Sequence, residues 1–332
     1  MKQHLIFGVL VLLLLLLLPL AALGPSSRKT EPPSSAAETA RTARSEPPAG
    51  GAEFIDVART VSGQVETIGM EEYLRGCVAG EMPLHYHEEA LKAQAVACYS
   101  FARHRLEREG REAVSDSPAS DQAYLSLEER RKKWGDDFEA NEKKLEKAVA
   151  AVRGQALSYE GEIALAVFHH SNSGLTETAA LCWGEDIPYL QSVASPGDRL
   201  SPEYSLTTVF SPAEIKTALK EIGGLKLGDD PAKWFGKAEL SQAGTVTKLE
   251  VGGVSISGGR LRELLGLRSA SFSVSCQSGS FHVKTVGYGH GVGMSQYGAD
   301  FMARQGNTYK EILEHYYMNC TITEAFSANG KY

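Results

Sequence analysis

Between Phe54 and Ile68 apolar and polar residues alternate with the period of half-buried strands, broken by a turn at Ser62 and Gly63. From Met70 the period becomes helical and holds to Met82, where Pro83 ends it. A second helix is predicted from Glu88 to about Arg108, with Leu91, Ala95, Cys98, Ala102 and Leu106 on one stripe facing a core. Leu127 to Val152 is charged on one side and periodic on the other, which predicts one helix or a pair packed on the surface. Strands at Gln155 to Tyr159 and Ile163 to Phe168 lead into a polar loop, Ser171 to Thr178. Further strands fit Thr245 to Val251, Phe272 to Cys276 and Phe281 to Val286, and short helices fit Pro212 to Glu221 and Gly259 to Leu265. Helical patterns at Met294 to Arg304 and Lys310 to Tyr317 close the chain. Strands and helices come in blocks and not in strict alternation, so the expected class is α+β.

Ahead of this body, Leu5 to Leu23 is apolar apart from Gly8 and Pro19, long enough to cross a bilayer. Residues 1–24 are therefore expected to be a transmembrane anchor or uncleaved signal, because Pro25 directly after Ala22 and Gly24 suits a signal peptidase poorly. Residues 25–52 are rich in Pro, Ser, Ala, Glu and Arg, cannot offset their ordering entropy, and read as a disordered tether. The expected layout is a folded region, 53–326, held outside the cytoplasm at the cell membrane by a single pass, with a tail at 327–332. That region is large enough for one domain or two intimately packed ones.

The formal net charge is -7, and the only basic run is Arg130 to Lys133, which argues against a nucleic-acid partner. The five cysteines are scattered, with no Cys-x-x-Cys, so a zinc knuckle is excluded by spacing and small buried thiols are expected. One long-range disulfide stays open.

Candidate chemistry lies in four stretches. In Gly80-Glu81-Met82-Pro83 a lone carboxylate sits at a helix end among apolar neighbours; burial and the negative end of the helix dipole both push its pKa up, as a general acid requires. A solvated helix-end glutamate is the alternative. Next comes the hydroxyl- and amide-rich loop Phe168 to Glu177, suited to sugar or peptide recognition; its adjacent His169 and His170 point to opposite sides and make a poor joint metal site. His85 and His87 lack a third ligand. The third stretch, Cys182-Trp183-Gly184 followed by Pro188 to Val193, offers aromatic faces for sugars, or simply core packing, while Cys182 lacks a firm partner base. In the fourth, Gly287 to Gly298, glycine recurs at alternate positions without the spacing of a phosphate loop. It leaves His290 as a general base, a substrate-binding group or a structural histidine, beside Gln296 and Tyr297.

These stretches, in this order, resemble the stage II sporulation protein D family, peptidoglycan lytic transglycosylases of spore-forming bacteria. The likeness runs from about Ile68 to Tyr317. It is carried by Tyr73-Leu74-Arg75-Gly76, Gly80-Glu81-Met82-Pro83, Ala90-Leu91-Lys92-Ala93-Gln94-Ala95, Ser171 to Glu177, Pro188 to Val193 and Gly289 to Ala299. The resemblance implies that Glu81 is the catalytic acid/base; for this chain no metal or cofactor is expected. It implies denuded peptidoglycan glycan strands as substrate, 1,6-anhydro-muramic products, and a role in engulfment at the sporulation septum. The implied partners are stage II sporulation protein P, an amidase, and the membrane protein stage II sporulation protein M. Position within the motifs makes Ser171, Ser173, Tyr189, His290, Gln296 and Tyr297 the expected substrate contacts, and Arg103 joins them as the stand-in for a family arginine.

Two departures stand out. Tyr99 occupies a place where family members commonly carry Arg, and Arg103 one turn on is expected to take over its charge. Some relatives bind zinc through Cys and His before Gln-Ala-Tyr, whereas this chain has Ser115 to Asp121 there, with neither residue type. The chain also resembles the amidase-enhancer proteins, which would make it a non-catalytic binding module.

Overall fold

The computed structural model describes residues 53–324. The apolar N-terminal run, the tether and the tail lie outside the described residues, and among those described no helix is long and apolar enough to cross a membrane. Alternation in the first segment folds as an antiparallel hairpin, β1 (Phe54–Ala58) with β2 (Val65–Gly69), in which Ile55 and Val57 point inward. Helix α1 (Met70–Glu81) begins where β2 ends and stops one residue before Met82-Pro83, the break that Pro83 predicts.

The next helix, α2 (Glu88–Glu107), departs from its one-striped expectation. From Ala90 to Ala102 every residue except Lys92 is buried, so α2 is a central helix wrapped on all sides. Its alanines at 90, 93, 95, 97 and 102 let neighbours approach closely. His87 caps it, its Nδ1 accepting the Glu89 N–H.

A short strand, β3 (Val114–Ser115), joins β1 in parallel. The charged segment resolves into a pair, α3 (Leu127–Trp134) and α4 (Phe138–Ala150), separated by a turn at Gly135–Asp137 and begun by a Ser126/Glu129 capping box. The predicted strand at 163–168 is instead two fragments, β5 (Glu162–Ile163), which follows β4 (Gln155–Tyr159), and β6 (Phe168–His169).

Beyond helix α5 (Ala179–Trp183) the chain builds a second hydrophobic core. Its strands are β7 (Ser205–Phe210), β8 (Phe235–Leu240), β9 (Val246–Val251), β10 (Val254–Ile256), β11 (Phe272–Gln277) and β12 (Ser280–Val286), arranged as two three-stranded antiparallel sheets. Helices α6 (Pro212–Ala218) and α7 (Gly258–Leu265) supply Ile215 and Leu261, and Trp234 stacks on Phe281. The chain then returns to the first core. Strand β13 (Met294–Ser295) pairs in parallel with β6, α8 (Gln296–Arg304) and α9 (Tyr309–Tyr316) pack on α2, and β14 (Thr321–Glu324) completes the β4 sheet. The fold is α+β with two cores between residues 53 and 324.

Candidate active site

Glycine on one face of α1 shapes the site. A Cβ at Gly76 would lie 2.3 Å from the Tyr124 ring and 2.6 Å from the Leu125 carbonyl, and one at Gly80 would lie 3.0 Å from Ala123 Cβ. The segment Gln122–Leu125 therefore lies directly against the helix. Leu125 N–H donates to the Gly76 carbonyl at 3.2 Å, and Tyr124 stacks on Tyr73. Buried Arg130 holds the Leu125 carbonyl while engaging Glu142 through two nitrogens and Glu72 through one.

That approach brings the Ala123 N–H within 2.6 Å of Glu81 Oε1. Burial raises the Glu81 pKa, while the Ala123 N–H and the side chain of Gln296 pull it back by favouring the carboxylate. Every group that stabilises this carboxylate is uncharged. Gln296 is 3 % exposed, and its Nε2 also reaches Oε1 of fully buried Gln94 at 3.5 Å. Gln94 in turn donates to Cys98 Sγ. Central α2 and returning α8 thus meet in a pair of amides beside the carboxylate.

Gln296 is fixed by the start of α8. Ser295 caps that helix and donates to Asp198 Oδ1 at 2.6 Å; Ser195 donates to Oδ2, also at 2.6 Å. Burial pushes the Asp198 pKa up to about 6, against the pull of these hydroxyls and of Asn172. Tyr297 donates its backbone N–H to the His170 carbonyl and its hydroxyl to the Leu200 carbonyl, and packs edge-on to Tyr86.

Ser171, Ser173 and His290 are gathered elsewhere, around a small open pocket of about 20 Å³. Asn172, Glu177, Thr245, Ser269 and Ser271 also line it; Glu81 does not. Several of its polar groups are engaged: Ser173 Oγ donates to the Ala243 carbonyl, Ser171 Oγ contacts His170 Nδ1, and Glu177 Oε2 accepts from Ser241 Oγ, outside the lining, at 2.6 Å. Burial and Arg262 push the His290 pKa down to about 4, and its Nδ1 accepts the Val292 N–H. Neutral His290 packs against Trp183 and against His169, itself held at about 3 by burial. This favours a structural His290 over a general base. Burial also raises the Cys182 thiol to about 12, and its Sγ donates to the His290 carbonyl at 3.4 Å, both of which disfavour a nucleophilic thiolate.

Two expected contacts have partners of their own within the fold. Tyr189 is 8 % exposed, its hydroxyl accepts the Leu165 N–H and its ring packs on Tyr159, so it belongs to the core. Arg103 lies about 13 Å beyond Gln94 along α2. It is spent on Glu107 and on Glu53, the latter at 2.5 Å. Tyr99 donates to the same Glu53, so the pair at 99 and 103 ties α2 to the start of β1. Among the described residues no group of three or more His, Cys, Asp or Glu is placed to hold a metal. Sequence reasoning passed over Gln94, Asp198, Gln122 and the Ala123 N–H. Gln94 sits within a quoted motif, but no spacing rule links these positions to Glu81.

A family model described as Stage II sporulation protein matches residues 58–159, the stretch that holds α1, Glu81, α2 and Gln122–Leu125. Stage II sporulation protein D of Bacillus subtilis (strain 168) is 39% identical over 347 aligned residues, covering 100% of this chain and 99% of that one. The chain belongs to the Stage II sporulation protein D family. The Bacillus amyloliquefaciens member is also 39% identical, over 84% of this chain and 81% of its own. A protein named Amidase enhancer, from Bacillus subtilis (strain 168), is 26% identical over 75% of this chain and 40% of its own length. Membership makes this a sporulation protein, with a relative named for enhancing an amidase.

Proposed function

We propose that this family member is a lytic transglycosylase cleaving the MurNAc–GlcNAc bond of denuded peptidoglycan strands, with Glu81 as its single acid/base. The observation that supports this reading most is the setting of Glu81: a partly buried carboxyl with a raised pKa, contacted by neutral donors. Ordinary glycosidases use a second carboxylate to activate water or attack the sugar. A transglycosylase takes its nucleophile from the substrate. Protonated Glu81 gives its proton to the glycosidic oxygen as that bond breaks. The resulting carboxylate takes the proton of the muramic C6 hydroxyl as its oxygen closes on C1, giving a 1,6-anhydro ring and returning Glu81 to its starting state. Ala123 and Gln296 stabilise the intermediate carboxylate, and Tyr297 is the adjoining polar aromatic for the sugar. Ser171, Ser173 and His290 would serve a more distant part of the strand.

In this reading the apolar N-terminal run anchors the protein in the cell membrane and the tether keeps Glu81 near the innermost wall. Partners would be stage II sporulation proteins P and M during engulfment. The similarity to an amidase enhancer favours a second reading, a glycan-binding module that activates an amidase. Mass spectrometry of denuded glycan incubated with the purified protein and with Glu81→Gln separates the two. Anhydro-muramic ends produced by the unmutated protein alone support the enzyme; their absence from folded unmutated protein sinks it.

A further inference from the structure

The chain on both sides of the Ala123 N–H is pinned. On the C-terminal side Leu125 is held by the Gly76 carbonyl and by Arg130. On the N-terminal side Gln122, 1 % exposed, uses Nε2 to bridge the Tyr73 hydroxyl at 2.7 Å and the Cys98 carbonyl at 3.2 Å, spanning α1 and α2. One residue earlier, the Asp121 side chain is 1 % exposed. Its Oδ1 lies 3.0 Å from Arg105 Nε and 2.9 Å from an Arg111 nitrogen, and its Oδ2 accepts the Ser115 N–H at 2.7 Å. Arg105 also donates to the Ser120 carbonyl, at the edge of the same turn. A buried carboxylate with two guanidinium partners and a backbone donor is far more constrained than a surface ion pair.

We propose that Asp121 and Gln122 are positioning residues for Glu81: together they fix where the Ala123 N–H meets its Oε1. Asp121 anchors the loop to the end of α2, and Gln122 sets the depth at which the segment enters between α1 and α2. Neither touches substrate; both act through the Ala123 N–H, which stabilises the carboxylate form of Glu81. Loosening the segment removes that stabilisation, so the proton is held more tightly and the acid becomes a poorer donor. The inference rests on reading Glu81 as the acid/base.

Carbon-detected NMR titration of the Glu81 carboxyl, assigned by its disappearance in Glu81→Gln, tests it without requiring turnover. Asp121→Asn is expected to move the Glu81 midpoint upward, with Gln122→Ala moving it in the same direction. Where turnover is measurable, the pH profile follows, and kcat falls about tenfold while KM changes less than twofold, as for a displaced catalytic group. Arg108→Ala, which removes an exposed ion pair with Glu162 near the same end of α2, leaves the midpoint in place. If Asp121→Asn lowers Tm but leaves the Glu81 midpoint unmoved, the inference is overturned; Arg111→Gln, which removes only one partner of Asp121, repeats the measurement should Asp121→Asn fail to fold, and an unmoved midpoint there overturns it as well. Full activity in Glu81→Gln would instead sink the acid/base reading.

Discussion

The backbone N–H of Ala123 donates to Glu81 Oε1 across 2.6 Å, joining a helix end to a chain segment that returns much later in the sequence. A side-chain donor could rotate away from the carboxylate, but a backbone donor held on both sides cannot. The contact makes the glycines of α1 part of the site's architecture.

Gly76→Ala drives a Cβ into the Tyr124 ring and a backbone carbonyl. It is expected to cost about 1–3 kcal/mol, or more if the segment cannot retreat. Gly80→Ala meets Ala123 at the milder distance of 3.0 Å. Its expected signature is a Tm close to the parent with turnover reduced about tenfold, because the displaced group is the Glu81 donor. Thermal denaturation measured beside turnover distinguishes the two outcomes.

Glu81→Gln should abolish proton transfer, with a loss of about 10²–10⁴-fold for a general acid/base. Its stability should change in the opposite direction. The folded-state pKa of Glu81 lies above its unfolded value, so its contribution is full at acid pH and disappears as pH rises through the folded pKa. The variant should therefore be more stable than the parent near neutrality, with the difference closing as pH falls below the ordinary carboxylate range. Urea denaturation at several pH values reads this directly.

Asp198 adds a pH dependence of its own. Its pKa stands at about 6 against 3.8 unfolded, so stability present below pH 4 is lost as pH rises through about 6. The loss is on the order of 3 kcal/mol. Asp198→Asn should flatten that part of the stability profile, whereas a slope unchanged from the parent would assign it to other groups.

Arg130 is fully buried and Arg131, next to it, is exposed. Arg130→Ala leaves the Leu125 carbonyl without its guanidinium donor and leaves Arg75 as the remaining cation beside Glu72 and Glu142, and should cost about 1–3 kcal/mol. Arg131→Ala should stay within about 0.5 kcal/mol. Denaturant midpoints of the two single variants test the contrast within one basic run.

Local pattern was enough to place α1 and its stop, because Pro83 acts through the backbone of its immediate neighbours. It also gave α2, the helical character of the α3–α4 segment though not its division in two, and β4, β9, β11 and β12, whose apolar periods are long enough to count. Strands β7 and β8 escaped because they expose residues on both faces and carry no alternation, as in Ser205–Phe210. The sequence also marked Glu81 and Gln296, both inside motifs whose order identifies the family. Only tertiary structure decided which groups surround that carboxylate. Hydrogen bonds between α1, Gln122–Leu125 and α8 depend on close approach across long chain separations, a quantity no local period encodes. The same packing gave Tyr189 and Arg103 partners of their own and set His290 against Trp183. A residue's chemistry is written in the chain, but its availability depends on what the fold places against it.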